Sequence, residues 1–298
     1  MAEAWKLTAY GAKSVIEGAL VAQELAPNWD ADIGLAGFEV AEDRPDEWRL
    51  DVYLPRRPTA ADKRAIDALF AGTPPRFAAE KLPEANWVTE SQKGLDPIRA
   101  GRFHVRTPEH APDPRAVDLV IPASQAFGTG QHATTAGCLI MLERMKREGE
   151  NPRNLIDVGT GAGLLAFAAR HLWPRALVTA SDIDPVCEIV VEDNAKLNAV
   201  PLGGGRGEVL MTIADGLHDP LLRARAPYDL LVANILARPL MDMAPDFARA
   251  VAPGGSILMA GLLSTQEAAV RRAYRLRGFR LARRLERGDW SILWLRRR

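Results

Sequence analysis

Seven residues, Asp157-Val158-Gly159-Thr160-Gly161-Ala162-Gly163, constrain this chain more than any other feature. They end an apolar run, Asn154–Val158, whose composition predicts a strand, and they open Leu164–Leu172, which reads as a helix. Glycine at a strand-to-helix turn lets the backbone approach a ligand closely, and the helix start offers unpaired N–H groups. A unit of this kind belongs in a sheet with helices on both sides.

The residues that follow repeat the alternation. Leu177–Ser181 reads as a strand, and Pro185–Leu197 as a helix with Asp184 at its N-cap and Pro185 in its first turn. Glu208–Ala214 and Tyr228–Ile235 read as strands, then Pro239–Ala250 as helix, Ser256–Leu262 as strand and Thr265–Arg277 as helix. Within Tyr228–Ile235 the core Leu230-Leu231-Val232-Ala233 is apolar on both faces, as in parallel sheets covered on both sides. Phe279–Glu286 and Trp290–Leu295 close the chain as a hairpin about Gly288-Asp289. The expectation is a doubly wound α/β sheet, Rossmann-like and seven-stranded, with a terminal antiparallel pair.

The first 85 residues read differently. Strands at Trp5–Tyr10, Ile33–Val40 and Trp48–Leu54, with helices at Ala12–Gln23 and from Ala60, give a βαββαβ order. In Trp48–Leu54, apolar Trp48, Leu50, Val52 and Leu54 alternate with Arg49, Asp51 and Tyr53, the period of a sheet with one buried and one wet face. Thr59 is placed to cap the second helix. This predicts a small ferredoxin-like α+β domain over 1–85, suited to recognition or support. Residues 86–121, punctuated by Pro97, Pro108, Pro112 and Pro114, read as a linker with an ordered strand at Arg102–Arg106. The third segment, 122–298, carries the sheet of alternating units.

Composition removes several functions. Lys+Arg and Asp+Glu each number 38, so the chain is formally neutral, which argues against strong direct nucleic-acid binding. Cys138 and Cys187 make neither a disulfide framework nor a four-ligand metal site, and no metal site is expected. No apolar run approaches a membrane span and the first residues are unlike a signal peptide, so the expected location is the cytoplasm.

The candidate site gathers at predicted strand ends. The glycine spacing is G-x-G-x-G, with Leu at 164 where the dinucleotide fingerprint needs glycine. That departure favours S-adenosylmethionine over a nicotinamide cofactor. Asp182 ends the next strand, about 20 residues on, where a carboxylate is placed to accept from ribose hydroxyls. Asp184 is sufficiently explained as a helix cap. Asn234 finishes an apolar strand at the edge where ligands bind such sheets.

Taken in order, AFGTGQHATT at 126–135, DVGTGAGLLAFAA at 157–169, SDIDP at 181–185, VANILARPL at 232–240 and PGGSILMAGLLSTQ at 253–266 resemble the PrmA family. These are class I methyltransferases that modify large-subunit ribosomal protein eleven. The family more often has Pro at 133 and Cys-Gly-Ser at 160–162, and neither departure removes a ligand group. The resemblance implies S-adenosylmethionine contacts at Thr135, Gly159, Gly161, Asp182 and Asn234, and Thr135 enters by resemblance alone. It also implies amine acceptors, the α-amino group and lysine side chains of the ribosomal protein. Asn234 is a candidate for positioning the amine, and no residue presents itself as a general base. Another protein lysine, RNA or a small molecule remains as an alternative acceptor, and a dehydrogenase-like nucleotide module as an alternative class.

Overall fold

The computed structural model describes residues 4–26, 29–30, 32–40, 44, 46–81, 97–122 and 132–298. The chain divides into two compact units, Met1–Lys93 and Gly94–Arg298.

In the first unit, β1 (Trp5–Ala12), α1 (Lys13–Leu25), β2 (Gly34–Glu39), β3 (Glu47–Leu54), α2 (Ala60–Asp67) and β4 (Ala78–Lys81) follow the expected βαββαβ order. The four strands form an antiparallel sheet in the order β2-β3-β1-β4. Leu50, Val52 and Leu54 are buried against Leu7, Ile16 and Ile66, which is the apolar half of the β3 alternation. The other half departs from a simple wet face: Asp51 is 1% exposed. Its carboxylate accepts from Thr8 Oγ1 at 3.0 Å and Tyr53 OH at 3.4 Å, and pairs with Arg49 at 3.1 Å. Those partners offset the cost of burying a charge. Thr59 caps α2 as expected, its Oγ1 accepting from the Asp62 N–H at 3.1 Å while Asp62 Oδ2 accepts from the Thr59 N–H at 2.8 Å.

The expected boundary at 85 lies outside the described residues. Much of the expected linker is folded: β5 (Ile98–Ala100), β6 (Phe103–Arg106) and β7 (Val117–Val120) make a three-stranded sheet. Ile98, Phe103, Val105 and Leu119 are buried in the core of the second unit, so this stretch belongs to that unit from 97 onward. The proline-rich run beyond β6 is pinned by Arg106, which donates to His110 O at 2.8 Å and to Asp118 Oδ2 at 2.9 Å. Buried His104 meets the same carboxylate through Nδ1 at 2.7 Å. β6 stands where the strand at Arg102–Arg106 was expected, whereas β5 and β7, of three and four residues among prolines, are too short a pattern for periodicity to register.

The remaining elements are α3 (His132–Arg147), β8 (Asn154–Val158), α4 (Leu164–Leu172), β9 (Leu177–Asp182), α5 (Val186–Leu197), β10 (Val209–Ile213), α6 (Pro220–Arg225) and β11 (Tyr228–Asn234). After them come α7 (Ala237–Asp242), α8 (Ala244–Ala250), β12 (Val251–Leu263), α9 (Glu267–Arg275), β13 (Phe279–Arg287) and β14 (Trp290–Arg297). The sheet order is β10-β9-β8-β11-β12-β14-β13, parallel except at β14 and its antiparallel neighbours. Leu230, Leu231, Val232 and Ala233 are each 0–1% exposed, divided between cores on the two faces. The order reverses between β8 and β11, and it is outside the carboxyl ends of the strands at such a switch point that sheets of this kind bind their ligands.

Two helices correct the sequence reading. The expected helix Pro239–Ala250 is two, α7 and α8, divided at Met243. Pro245 has no N–H to continue the ladder and its ring clashes with the preceding turn. The unread α6 has its signal in Asp219-Pro220: the Asp219 carboxylate accepts from the Leu221 N–H at 2.8 Å, and Pro220 takes the first turn.

Candidate functional site

The loop after β8 is tied to β9 by backbone. The N–H groups of Gly159 and Thr160 both donate to Ser181 O, at 2.8 and 3.0 Å. Gly159, Gly161 and Gly163 have φ of 71°, 53° and 85°, a region that costs other residues strain. Gly161 donates its N–H to Asp182 Oδ2 at 2.8 Å, and Asp184 donates its own to Asp182 Oδ1 at 3.1 Å. Asp182 is therefore held in place with both oxygens turned to backbone donors.

Asp184 does the separate job expected of it. Its Oδ1 accepts from the Val186 N–H at 2.9 Å, closing the first turn of α5, although regular helix begins one residue past Pro185. Two carboxylates two residues apart thus divide between loop and helix.

Asn234 ends β11 opposite Ala260 of β12. Its side chain is half-buried, and among the described residues its amide has no hydrogen-bond partner. The next residue explains two glycines at once. A Cβ at 159 would collide with Cγ2 of Ile235, and one at 261 with the Ile235 backbone. Ile235 thereby brings the end of β11 against the β8 loop. Leu236 beyond it is 50% exposed.

The structure bonds Gly161 to Asp182, ties Gly159 to the adjacent Ser181, and brings the residue after Asn234, Ile235, against Gly159. Thr135 is buried in the first turn of α3, a helix that packs on α4. The run Ala126–Gln131 quoted with it lies outside the described residues.

Sequence reasoning passed over two residues that build the site. Asp157, buried in the middle of the sheet, accepts from Thr160 Oγ1 at 2.7 Å and from the Ala166 N–H at 3.2 Å, both through Oδ2. It thus holds loop and helix start together. Burial is the main cause that pushes its carboxyl up to about 7; the bonds from Thr160 and Ala166 oppose this, and the neighbouring Asp182 charge adds to it. Its Oδ1 is buried without a partner. The second is Asn194 of α5, also buried, whose Nδ2 donates to Ala162 O at 2.9 Å. A carboxylate in an apolar strand was a visible signal; Asn194 gave none, because its partner lies 32 residues away. Burial and the adjacent Asp182 push the Cys187 thiol up to about 12, so it remains a neutral donor beside that carboxylate.

Comparison with known proteins places the chain in a family. A family model described as Ribosomal protein L11 methyltransferase (PrmA) matches residues 4–298. A relative from Agrobacterium fabrum, named Ribosomal protein L11 methyltransferase, is 39% identical over 272 residues, covering 90% of each chain. One of the same name from Rhizobium meliloti is 39% identical over 273 residues, covering 89% of this chain and 90% of the relative. A solved structure of ribosomal protein L11 methylase from Lactobacillus delbrueckii subsp. bulgaricus aligns with a TM-score of 0.56 at 25% identity. It covers 68% of this chain and 100% of its own.

Proposed function

The chain belongs to the PrmA family of ribosomal protein L11 methyltransferases, and on that premise we propose that it moves methyl groups from S-adenosylmethionine to amines of ribosomal protein L11, the α-amino group and lysine side chains. The observation that carries the cofactor assignment is the cradle at the crevice. Left-handed glycines line it, Asp182 is fixed on a loop N–H, and the Asn234 amide waits without a partner among the described residues.

The residues present fit the cofactor. Each oxygen of Asp182 accepts one backbone N–H, and with the Cys187 thiol beside it the carboxylate still keeps a lone pair for a ribose hydroxyl. Gly159 and Gly161 let the loop backbone lie against the ligand, and Thr135 joins them by family likeness. Bound there, S-adenosylmethionine supplies a methyl group on a positively charged sulfur, open to attack by a lone pair.

The chain's own task is to present a neutral amine in line. Reference pKa values are about 7.7–8.0 for an α-amine and about 10.4 for lysine. Ile235 and Leu236 give an apolar wall that strips water from the amine and favours its uncharged form. The Asn234 carbonyl accepts an amine N–H and so aims the lone pair, and most of the rate comes from that orientation. Asp157 takes no part as a base, being buried beneath the loop with its Oδ2 committed.

The first unit selects the protein substrate. Residues 1–85 carry fifteen Asp and Glu against ten Lys and Arg, a surplus that suits a lysine-bearing partner. The enzyme acts in the cytoplasm; among the described residues no helix is long and apolar enough to cross a membrane. Mass spectrometry of purified L11 incubated with the chain and isotope-labelled S-adenosylmethionine tests this reading. The expected result is methyl increments on the N-terminus and lysines. L11 left unmodified while RNA or a small molecule is labelled would replace the acceptor.

A further inference from the structure

Formal neutrality hides a segregation of charge. Residues 271–298 hold eleven arginines and two carboxylates, so the other 270 residues are acidic by the same margin. The nearest carboxylates are taken: Glu267 by Arg271 and Arg284, Glu148 by Arg283, and Glu150 by Arg296. Arg272, Arg275, Arg277, Arg280, Arg297 and Arg298 have no carboxylate partner among the described residues.

Several of them converge. Arg280 Nη1 donates to Arg275 O at 3.3 Å, and the Arg298 N–H donates to Gly278 O at 3.1 Å, which gathers the end of α9 and both hairpin strands around one turn. Arg280 and Arg296 are direct cross-strand partners, and Glu150 neutralises Arg296 alone, so Arg280 faces a like charge without a carboxylate of its own among the described residues. Edge protection accounts for charge along β13. It does not account for Arg272 and Arg275 on α9, nor for Arg298 beside Gly278, whereas Arg297 is held by its bond to Val251 O.

We infer that this arginine cluster is a docking surface for the phosphate backbone of double-stranded RNA. Guanidinium groups meet phosphates bidentately, and several uncompensated ones on one surface make a counterion-releasing footprint. Tyr274, Phe279 and Trp294 are buried and Trp290 half-buried, so no ring platform exists here for unstacked single-strand bases. Leu276 is a lone exposed leucine, not the apolar stripe of a membrane-seeking helix. The cluster also leaves the crevice open. Arg296 pairs with Ser256 on β12 while Asn234 pairs with Ala260, so arginines and site lie at opposite ends of the sheet. The choice of RNA over DNA rests on reading the substrate as a ribosomal protein.

The test is fluorescence anisotropy of the full chain with a labelled 20-base-pair RNA duplex (roughly two turns, room for several phosphate contacts). With about five phosphates neutralised, affinity should fall on the order of 10²–10³-fold between about 50 and 200 mM salt. The combined variant Arg275→Gln, Arg277→Gln, Arg298→Gln should bind more than about tenfold more weakly, with a slope shallower by about 3, one unit per lost contact. Its melting temperature and its methylation of free L11 should match the parent. The same three positions changed to Lys should retain binding. No binding at the lower salt, unchanged binding by the glutamine variant, equal loss in the lysine variant, or tighter binding of a DNA duplex or anionic vesicles would each overturn the inference. Methylation of L11 is read separately, so RNA binding with an inert enzyme would strike the proposed activity alone.

Discussion

The two large sheets solve the burial problem in opposite ways. The four-stranded sheet of the first unit buries Leu50, Val52 and Leu54 on one face and keeps Arg49, Asp51 and Tyr53 as a polar network on the other. The seven-stranded sheet is covered on both faces, and Leu230 to Ala233 offer no polar group to anything outside. Such a sheet can present chemistry only where its strands stop. The lesson is that a half-covered sheet is suited to recognise with its surface, whereas a fully covered one must work through its loops.

The contrast is broken most directly at Asp157, a fully buried carboxylate on β8 of the covered sheet. Its native carboxyl titrates near 7 against an ordinary 3.8. Between those values the unfolded chain releases a proton that the native chain retains, so this group's contribution to stability falls as pH rises from about 4 to 7 and is flat above. Three units amount to about 4 kcal/mol. Denaturant titrations of the parent and Asp157→Asn should therefore diverge across that window, with the parent losing ground as pH rises. A constant difference would mean the native carboxylate is already ionised.

A chain begun at Gly94 asks whether recognition resides in the first unit. It should fold and bind S-adenosylmethionine with unchanged affinity, yet lose on the order of 10²-fold in activity on intact L11, about 2.7 kcal/mol of binding energy no longer available. Equal activity would remove recognition from the first unit, and lost cofactor binding would show that the two units do not separate there.

The finest comparison sets one polar residue in each unit side by side. Asp182→Ala should weaken S-adenosylmethionine binding by about 1.5–3 kcal/mol, as expected for hydrogen bonds to a charged group. Thr59→Ala removes the α2 cap and should cost about 1 kcal/mol of stability with no change in cofactor affinity. Calorimetric titration and thermal melts of both variants check the pair. If Asp182→Ala binds cofactor as the parent does, the ribose contact lies elsewhere.

How much of this was legible in the sequence follows from the range of the interactions. The βαββαβ order, the capping Thr59 and the glycine loop are local patterns, and each stands where it was expected. Asp182 could be singled out because strand end and loop have a known spacing. Asp157 showed as a carboxylate in an apolar strand, but its bonds to Thr160 and Ala166 did not show, and Asn194 gave no signal because its partner is distant in the chain. Within 97–121 the strand at Arg102–Arg106 showed in the sequence, but its burial with Ile98 and Leu119 did not, because prolines mark a break in pattern without saying whether the pieces are buried. The arginine cluster was in plain view but was averaged away by the sum over the whole chain.

The wedge formed by Ile235 has a consequence for how sequences of this kind drift. At 261 any side chain meets the backbone of residue 235, so no compensating change at 235 can make room. At 159 the obstacle is a side-chain methyl, added to a left-handed backbone. Smaller apolar residues at 235 that keep the wall dry are therefore sterically open, whereas 261 is closed under every neighbour. Among descendants of one ancestor, 261 should stay fixed while 235 varies among apolar side chains no larger than isoleucine, a one-way ratchet set at 261 by shape rather than by any bond to substrate.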